Sequence, residues 1–162
     1  MTEPSEIAEV FGIFHDGTIV GGAESVAATE LIVEVEYLAE RVRQDYRRFT
    51  IRFEDVGAMR FVPWIDEGAD SIADITDFSV IVGSEFDILS AEAVDSTLRV
   101  ACAQDRSGFG YSGGFLEFSA CSCQVLDEAG SVWTLEELRK LSDDYWSDWA
   151  ARNKQAQSGP RE

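Results

Sequence analysis

The sequence predicts a β-rich α+β domain, an antiparallel sandwich or partly closed barrel built from two related multi-strand units, with one C-terminal helix. Three observations support this prediction. Two runs of residues alternate apolar and polar side chains as half-buried strands do. A second pair of such runs follows later in the chain, and a helical repeat comes after it. The 162 residues suffice for one domain with its own core, which we place at residues 1–152.

The first pair of runs covers residues 30–38 and 49–54. The apolar positions that share one face are Leu31, Val33, Val35 and Tyr37 in the first run and Phe49, Ile51 and Phe53 in the second. Earlier residues predict a frayed start at 1–9 and a strand over 10–14 and 18–20, interrupted by the turn His15-Asp16-Gly17. Further β-type segments follow at 59–62, 78–82 and 86–89. The acidic stretch between them, Asp66 to Asp77, fits a short helix or a loop.

The second pair of runs matches the first at a constant offset of 67 residues. Leu98 and Val100 correspond to Leu31 and Val33, and Leu116 and Phe118 correspond to Phe49 and Ile51. This offset predicts an internal repeat of about 14–62 and 81–126. Chance matching of alternating apolar residues is the alternative, because the polar positions of the two segments differ.

The C-terminal helix is predicted over residues 134–152. Thr134 and Glu137 have the spacing of a capping box. Apolar side chains then recur at helical spacing, at Leu138, Leu141, Tyr145 and Trp149. Trp146 and Trp149 cannot both point at the centre of one core stripe. One of them is then partly exposed or, as is more common, both pack at the edges of the stripe. Residues 153–162 are predicted to be a disordered tail.

Charge restricts the class of partner. The formal net charge is -18, from 13 Lys and Arg against 31 Asp and Glu. Nucleic acids and anionic membranes are polyanions that require basic neutralisation, so we expect neither as a partner. A basic protein fits this charge, as does a merely solvated surface. The acidic N-terminus does not resemble a secretory signal, and no segment has transmembrane length, so we expect a cytoplasmic protein.

No residue set predicts catalysis, a metal or a cofactor. His15 and Asp16 are adjacent, and neighbouring side chains of a strand point to opposite faces. The segment Gly108 to Gly113 matches G-x-G-x-x-G, but a strand follows it where a dinucleotide motif requires a helix. Three cysteines, Cys102, Cys121 and Cys123, favour buried apolar packing over zinc or disulfides.

An arginine-rich insert is the main candidate for ligand or partner binding. Its cations are Arg41, Arg43, Arg47, Arg48 and Arg52. Guanidinium groups bind carboxylates and phosphates through paired hydrogen bonds. The alternative is intramolecular pairing with Glu30, Glu34, Glu36 and Glu40. Phe109 and Tyr111, in the glycine-rich loop of the second unit, complete the candidate set as exposed stacking surfaces. If the repeat is real, we expect a site where the insert and this loop meet.

Residues 14–62 carry a resemblance to known proteins. Phe14-His15-Asp16-Gly17-x-Ile19, an acid-rich strand and a Phe-x-Ile-x-Phe strand resemble small acidic bacterial proteins of the toxin-immunity type. The resemblance implies a cytoplasmic protein whose acidic side chains block a basic cleft, and it implies no individual functional residue. We therefore expect a non-enzymatic protein-interaction module. The alternative is a small-molecule-binding or hydrolytic protein that uses a pocket at the mouth of a barrel.

Overall fold

The structure is a computed structural model and describes residues 1–64 and 72–157. The helices of these residues are α1 (Pro4–Ile13), α2 (Glu36–Val42), α3 (Phe78–Gly83) and α4 (Leu135–Gln157). The strands are β1 (Thr18–Glu24), β2 (Thr29–Glu34), β3 (Arg48–Glu54), β4 (Arg60–Pro63), β5 (Asp87–Val94), β6 (Thr97–Ala103), β7 (Gly113–Phe118), β8 (Ser122–Leu126) and β9 (Val132–Trp133). Asp66, Glu67 and Asp70 of the predicted acidic segment lie outside the described residues.

All nine strands form one antiparallel sheet in the order β4-β7-β6-β5-β1-β2-β3-β8-β9. Among the residues that the structure describes, the sheet is not closed: β4 and β9 are its outermost strands, and β4 meets an isolated bridge to Ile75 on its outer side. It is nevertheless strongly curved. Five strand spacings separate β3 from β7, about 24 Å in a flat sheet, yet the rings of Phe53 and Phe118 are 5.1 Å apart. The prediction of a β-rich α+β fold with a C-terminal helix is confirmed.

Helix α1 lies within the curve of the sheet and fills the core. Ile7, Val10, Phe11 and Phe14 are fully buried, and the ring of Phe11 packs 6.2 Å from both Phe53 and Phe118. The predicted frayed start and strand over residues 1–14 were wrong. Spacings of three and four between the buried positions are helical, but apolar residues on more than one helix face obscured that period.

Two further segments predicted as β structure are helical. Residues 36–38 were placed at the end of a strand but begin α2, which leaves Tyr37 half-buried beside α4. Residues 78–82 lie in α3, whose N-cap Asp77 accepts bonds from the backbone N–H groups of Ser79 and Val80. The β-type residues Val80, Ile81 and Val82 had suggested a strand. The N-cap of Asp77 stabilises the first turn of α3 and outweighs their β propensity.

The two halves of the sheet have the same topology. β1-β2-β3 and β5-β6-β7 are consecutive meanders, and the strand after each meander pairs with the last strand of the other: β4 with β7, and β8 with β3. Leu31 faces Ile51, and Leu98 faces Phe118, 67 residues later in both strands. Descent of the two units from one duplicated sequence stays a prediction.

Helix α4 begins where the capping box predicted. The N–H of Glu137 donates to the Thr134 hydroxyl, and the Thr134 N–H donates to the Glu137 carboxylate. The helix continues to Gln157, beyond the expected end near Arg152, and residues 158–162 of the predicted tail lie outside the described residues. Arg139 fixes α4 to α1 through two bonds to Glu9, of 2.5 and 2.6 Å. In the part of the chain that the structure describes, no helix is both long and apolar enough to cross a membrane.

Candidate functional site

The arginine-rich insert is engaged mainly in intramolecular pairs. Arg41 pairs with Asp148 at 2.8 Å, Arg43 with Asp45, Arg47 with Glu36 and Glu40, and Arg52 with Glu30. Arg48 forms no ion pair within the described residues, although its backbone N–H donates to Glu128. Intramolecular pairing was the alternative to ligand binding. Arg47 and Arg52 pair with three of the four glutamates expected for it, Glu30, Glu36 and Glu40. Most guanidinium groups of the insert are therefore already neutralised by carboxylates of the same chain.

The glycine-rich loop joins β6 to β7 and packs against Phe61 of β4 and Phe86. Tyr111 is buried and contacts the ring of Phe61 at 5.5 Å, while Phe109 is 37% exposed and leans on Tyr111. Tyr111 is thus a core residue and does not offer the exposed stacking surface that was expected. The insert contacts α4 and the turn before β9, whereas the loop contacts Phe61 and Phe86. The structure does not bring the insert and the loop together.

His15 and Asp16 lie in the turn between α1 and β1, where Asp16 adopts a positive φ of 64°. The turn predicted at these residues is confirmed. Since they are not part of a strand, their side chains approach each other, with His15 Nε2 3.8 Å from Asp16 Oδ2. That distance permits charge attraction but exceeds a hydrogen bond. The other ring nitrogen, Nδ1, donates to the carbonyl of Gly12, which fixes the plane of the imidazole.

His15 belongs to an aromatic cluster that we call the aromatic patch, formed by His15, Tyr37, Tyr145, Trp146 and Trp149. Trp146 is its centre. Its indole stacks on the imidazole with centroids 5.3 Å apart, and the other three rings lie within 6 Å of it, at 5.0, 5.8 and 5.9 Å. Trp149 forms the outer edge and is 48% exposed, so the two helix tryptophans do not both pack at the edges of the core stripe.

The turn between α1 and β1, helix α2 and helix α4 together hold this patch in place. The Tyr37 hydroxyl of α2 donates to the His15 carbonyl at 2.7 Å, and Tyr37 packs on Tyr145 of α4 at 4.6 Å. Burial, followed by the negative charge of Asp16 and the neighbouring Tyr145, raises the pKa of Tyr37. The Tyr37 hydroxyl therefore stays protonated and keeps donating. The patch is a preorganised surface because its rings are fixed before any partner arrives.

Charges of both signs border the patch: Asp16 lies beside His15, while Arg152, three residues after Trp149 on α4, donates to the Asp148 carbonyl. The Asp16 side chain is 68% exposed, and its nearest cationic group is His15, which is charged only when protonated. Asp148 is also largely exposed but is engaged with Arg41. A surface of exposed rings that also carries the Asp16 carboxylate favours a cationic group, because aromatic faces and carboxylates both attract one.

Sequence reasoning named all five residues of this patch but did not place them together, least of all His15 and Trp149. They lie 134 positions apart in the chain, and only the packing of α4 across α1 and α2 unites them. The local signal was present at Tyr145, Trp146 and Trp149, where three large aromatic residues within five positions exceed what one core stripe holds.

The three cysteines differ in environment. Cys102 and Cys123 are buried, as predicted, and burial raises the pKa of their thiols to about 12 and about 11. Cys121 is exposed, so its predicted burial was wrong. Among residues 1–64 and 72–157, no group of three or more His, Cys, Asp and Glu side chains is arranged to hold a metal ion.

We expect one thiol of the native protein to react with a disulfide reagent such as dithionitrobenzoate at neutral pH. Thiolates are the reactive form, and buried thiols with raised pKa values are both protonated and inaccessible. The absorbance of the released thiolate should correspond to one reacted thiol per chain in buffer and three in denaturant. Cys121→Ser should abolish the reaction of the native protein. Fast reaction of two thiols in the native state would contradict the placement of Cys102 and Cys123.

Comparison with models of known protein families, with curated proteins and with solved structures finds no match to this chain. Its resemblance to immunity-type proteins therefore stays a prediction. Any functional conclusion rests on the site itself.

Proposed function

We propose that this chain is a non-enzymatic interaction module that binds a basic protein through the aromatic patch. One observation carries the proposal: the exposed indole of Trp149 packs on Trp146, and Trp146 stacks on His15, whose ring lies 3.8 Å from the exposed carboxylate of Asp16. A solvated surface does not need a half-exposed tryptophan. Contact residues at protein interfaces are enriched in tryptophan and tyrosine, which supply large rigid surfaces at low entropic cost.

The chemistry of the patch favours arginine or lysine as the contacting side chain of the partner. A cation over an exposed aromatic ring gains about 0.5–1 kcal/mol, and about 2 kcal/mol once desolvated. The net charge of -18 adds long-range attraction, which accelerates encounter with a basic surface. Most arginines of the insert are paired with carboxylates of the same chain and therefore do not repel a basic partner. This pairing also supports a basic partner.

An immunity role is the biological form of this proposal that the resemblance of residues 14–62 implies. In that role the basic partner is a toxin, and binding covers its cationic cleft. The second function considered was a small-molecule-binding or hydrolytic protein that uses a pocket at the mouth of a barrel. The described strands form an open sheet, and the insert and the glycine-rich loop contact different elements, so no observation favours that function over the interaction module.

The test is co-purification of tagged chain with proteins of its own cell at low and high salt. We expect basic proteins to be retained at about 0.05 M salt and released at about 0.5 M, where charge attraction is screened. Trp149→Ala should reduce retention at least about fivefold if this residue is an interface anchor. Asp16→Asn should mainly weaken retention at low salt, because it removes only charge.

Val132→Ala is the matched control for this experiment. Val132 is a large apolar residue of β9 that is 57% exposed and lies outside the patch. Retention should be unchanged in this variant. The proposal fails if the retained proteins are not basic, or if Trp149→Ala and Val132→Ala retain them equally well.

A further inference from the structure

A groove lies between strand β1 and helix α3. Its volume is about 510 Å³, within the range of about 300–1,000 Å³ that is usual for ligand sites. One wall is made by residues 20–24 of β1 and the other by one side of α3, including Phe78 and Val82. Because consecutive residues of β1 line the groove, and not every second one, the strand presents its edge to it.

This edge of β1 carries hydrogen-bonding groups without a strand partner. On its other edge β1 is paired with β2 from Thr18 to Glu24. On the groove side, within the described chain, β1 pairs with β5 only where Thr18 faces Asp87. The ladder opens beyond that point, so residues 20–24 are an open strand edge. Such edges bind extended segments by strand addition.

Side chains on α3 give the groove an apolar floor. A Cβ atom at Gly22 would lie 2.5 Å from the Glu30 carbonyl oxygen of β2 and 2.9 Å from both Phe78 and Val82, so the α3 side chains pack directly on the strand at this position. Glycine is required there for this close approach. A residue of an added strand that points towards α3 would meet the same two side chains. The groove therefore accepts an apolar side chain at its centre.

The charged groups of the groove are both negative. Glu24 lies at the end of β1 and Asp77 at the start of α3, and the described lining contains no Lys, Arg or His. Asp77 keeps its charge because bonds from Ser79 and Val80 lower its pKa. A second copy of this chain, with net charge -18, would be repelled. Charge complementarity selects an extended segment with basic side chains.

We propose that this groove binds an extended cationic peptide segment of another protein, which adds as a strand to β1 beside α3. Backbone hydrogen bonds to residues 20–24 hold the segment, an apolar side chain contacts Phe78 and Val82, and a flanking basic side chain meets Glu24 or Asp77. The site is separate from the aromatic patch and does not depend on it, since the two share no residue.

The probe for this site is the peptide acetyl-Arg-Thr-Val-Thr-Arg-amide. In an extended conformation its valine and both arginines share one face, and the pattern reads the same in both chain directions. Its counterpart with glutamate in place of both arginines is the charge control. In nuclear magnetic resonance titrations, amide signals of residues 20–24 should shift with the arginine peptide and stay unchanged with the glutamate peptide. Shifts confined to residues 145–149, or absent, would overturn the proposal.

Substitution in the groove gives an independent readout. A Cβ at Gly83 meets nothing within 4 Å, so Gly83→Trp should fill the groove and weaken peptide binding by more than about tenfold, because the strand-addition edge is blocked. Val80→Trp is the matched control, since Val80 lies on the same helix, is 46% exposed and does not line the groove. Equal binding by the two variants would refute the site. Trp149→Ala should leave peptide binding unchanged. Failure of the groove proposal can therefore be told apart from failure of the function proposed for the aromatic patch.

Discussion

Replacement of Phe11 by alanine is expected to lower the free energy of unfolding by about 3–5 kcal/mol, a large part of the stability of a typical domain. Phe11 is fully buried at the centre of α1. Its ring lies parallel to Phe53 of β3 and edge-on to Phe118 of β7, at 6.2 Å from each. Removal of the ring leaves a cavity where the two meanders meet, and the curved sheet cannot collapse to fill it.

Urea unfolding followed by circular dichroism measures this effect as a lower transition midpoint. Phe109→Ala is the matched control, because Phe109 is 37% exposed in the loop between β6 and β7, and we expect a loss of less than about 1 kcal/mol. Phe11→Leu should fall between the two. Equal midpoints for Phe11→Ala and Phe109→Ala would contradict a core centred on α1.

Glu117→Ala is expected to destabilise the protein by about 2 kcal/mol, because it removes the acceptor shared by two arginines. Glu117 is buried on β7, and its carboxylate receives Arg60 from β4 at 2.8 Å and Arg99 from β6 at 2.9 Å. Both arginines are about half exposed, so water partly compensates the loss. The control is Glu92→Ala, whose carboxylate is 62% exposed and 3.9 Å from Arg99, with an expected change near zero.

The contribution of Glu117 depends on pH in a defined direction. Burial raises the pKa of its carboxyl, but the bonds from Arg60 and Arg99 outweigh burial and lower the pKa below the ordinary value. A lowered pKa in the folded state means that the stabilisation is present above the unfolded-state pKa and is lost as pH falls through the folded-state pKa. The difference between Glu117→Ala and the parent chain should therefore shrink in acid. A difference that grows in acid would contradict this network.

Local patterns were sufficient for much of the sheet and for α4. Alternation at Phe49, Ile51 and Phe53 predicted β3, and the capping box at Thr134 predicted the start of α4, because both signals depend on near neighbours. Helix α1 was missed because its apolar side chains occupy several faces, which is typical of a helix enclosed by a core and hides the amphipathic period.

The candidate site was less predictable than the fold. The arginines of the insert were conspicuous in the sequence, and Glu30, Glu36 and Glu40 were expected as partners. The pairing of Arg41 with Asp148 of α4 was not expected, because it joins residues 107 positions apart. The aromatic patch depends on the crossing of α4 over a turn more than a hundred residues earlier. The groove exists because β1 diverges from β5 beyond Thr18 and Asp87. Local sequence patterns do not show where two strands so far apart in the chain stop pairing.

The central claim is that the aromatic patch recognises cationic side chains, and the most direct test is to follow the tryptophan indole protons by nuclear magnetic resonance. N-acetyl-arginine amide is titrated against the native chain, with N-acetyl-citrulline amide as the uncharged analogue of the same shape. We predict saturable shifts of the Trp146 and Trp149 indole signals with the arginine compound, weakened by Asp16→Asn, while the Trp133 signal stays fixed through its bond to Asp127. Equal shifts with both compounds, or none with either, would contradict the claim.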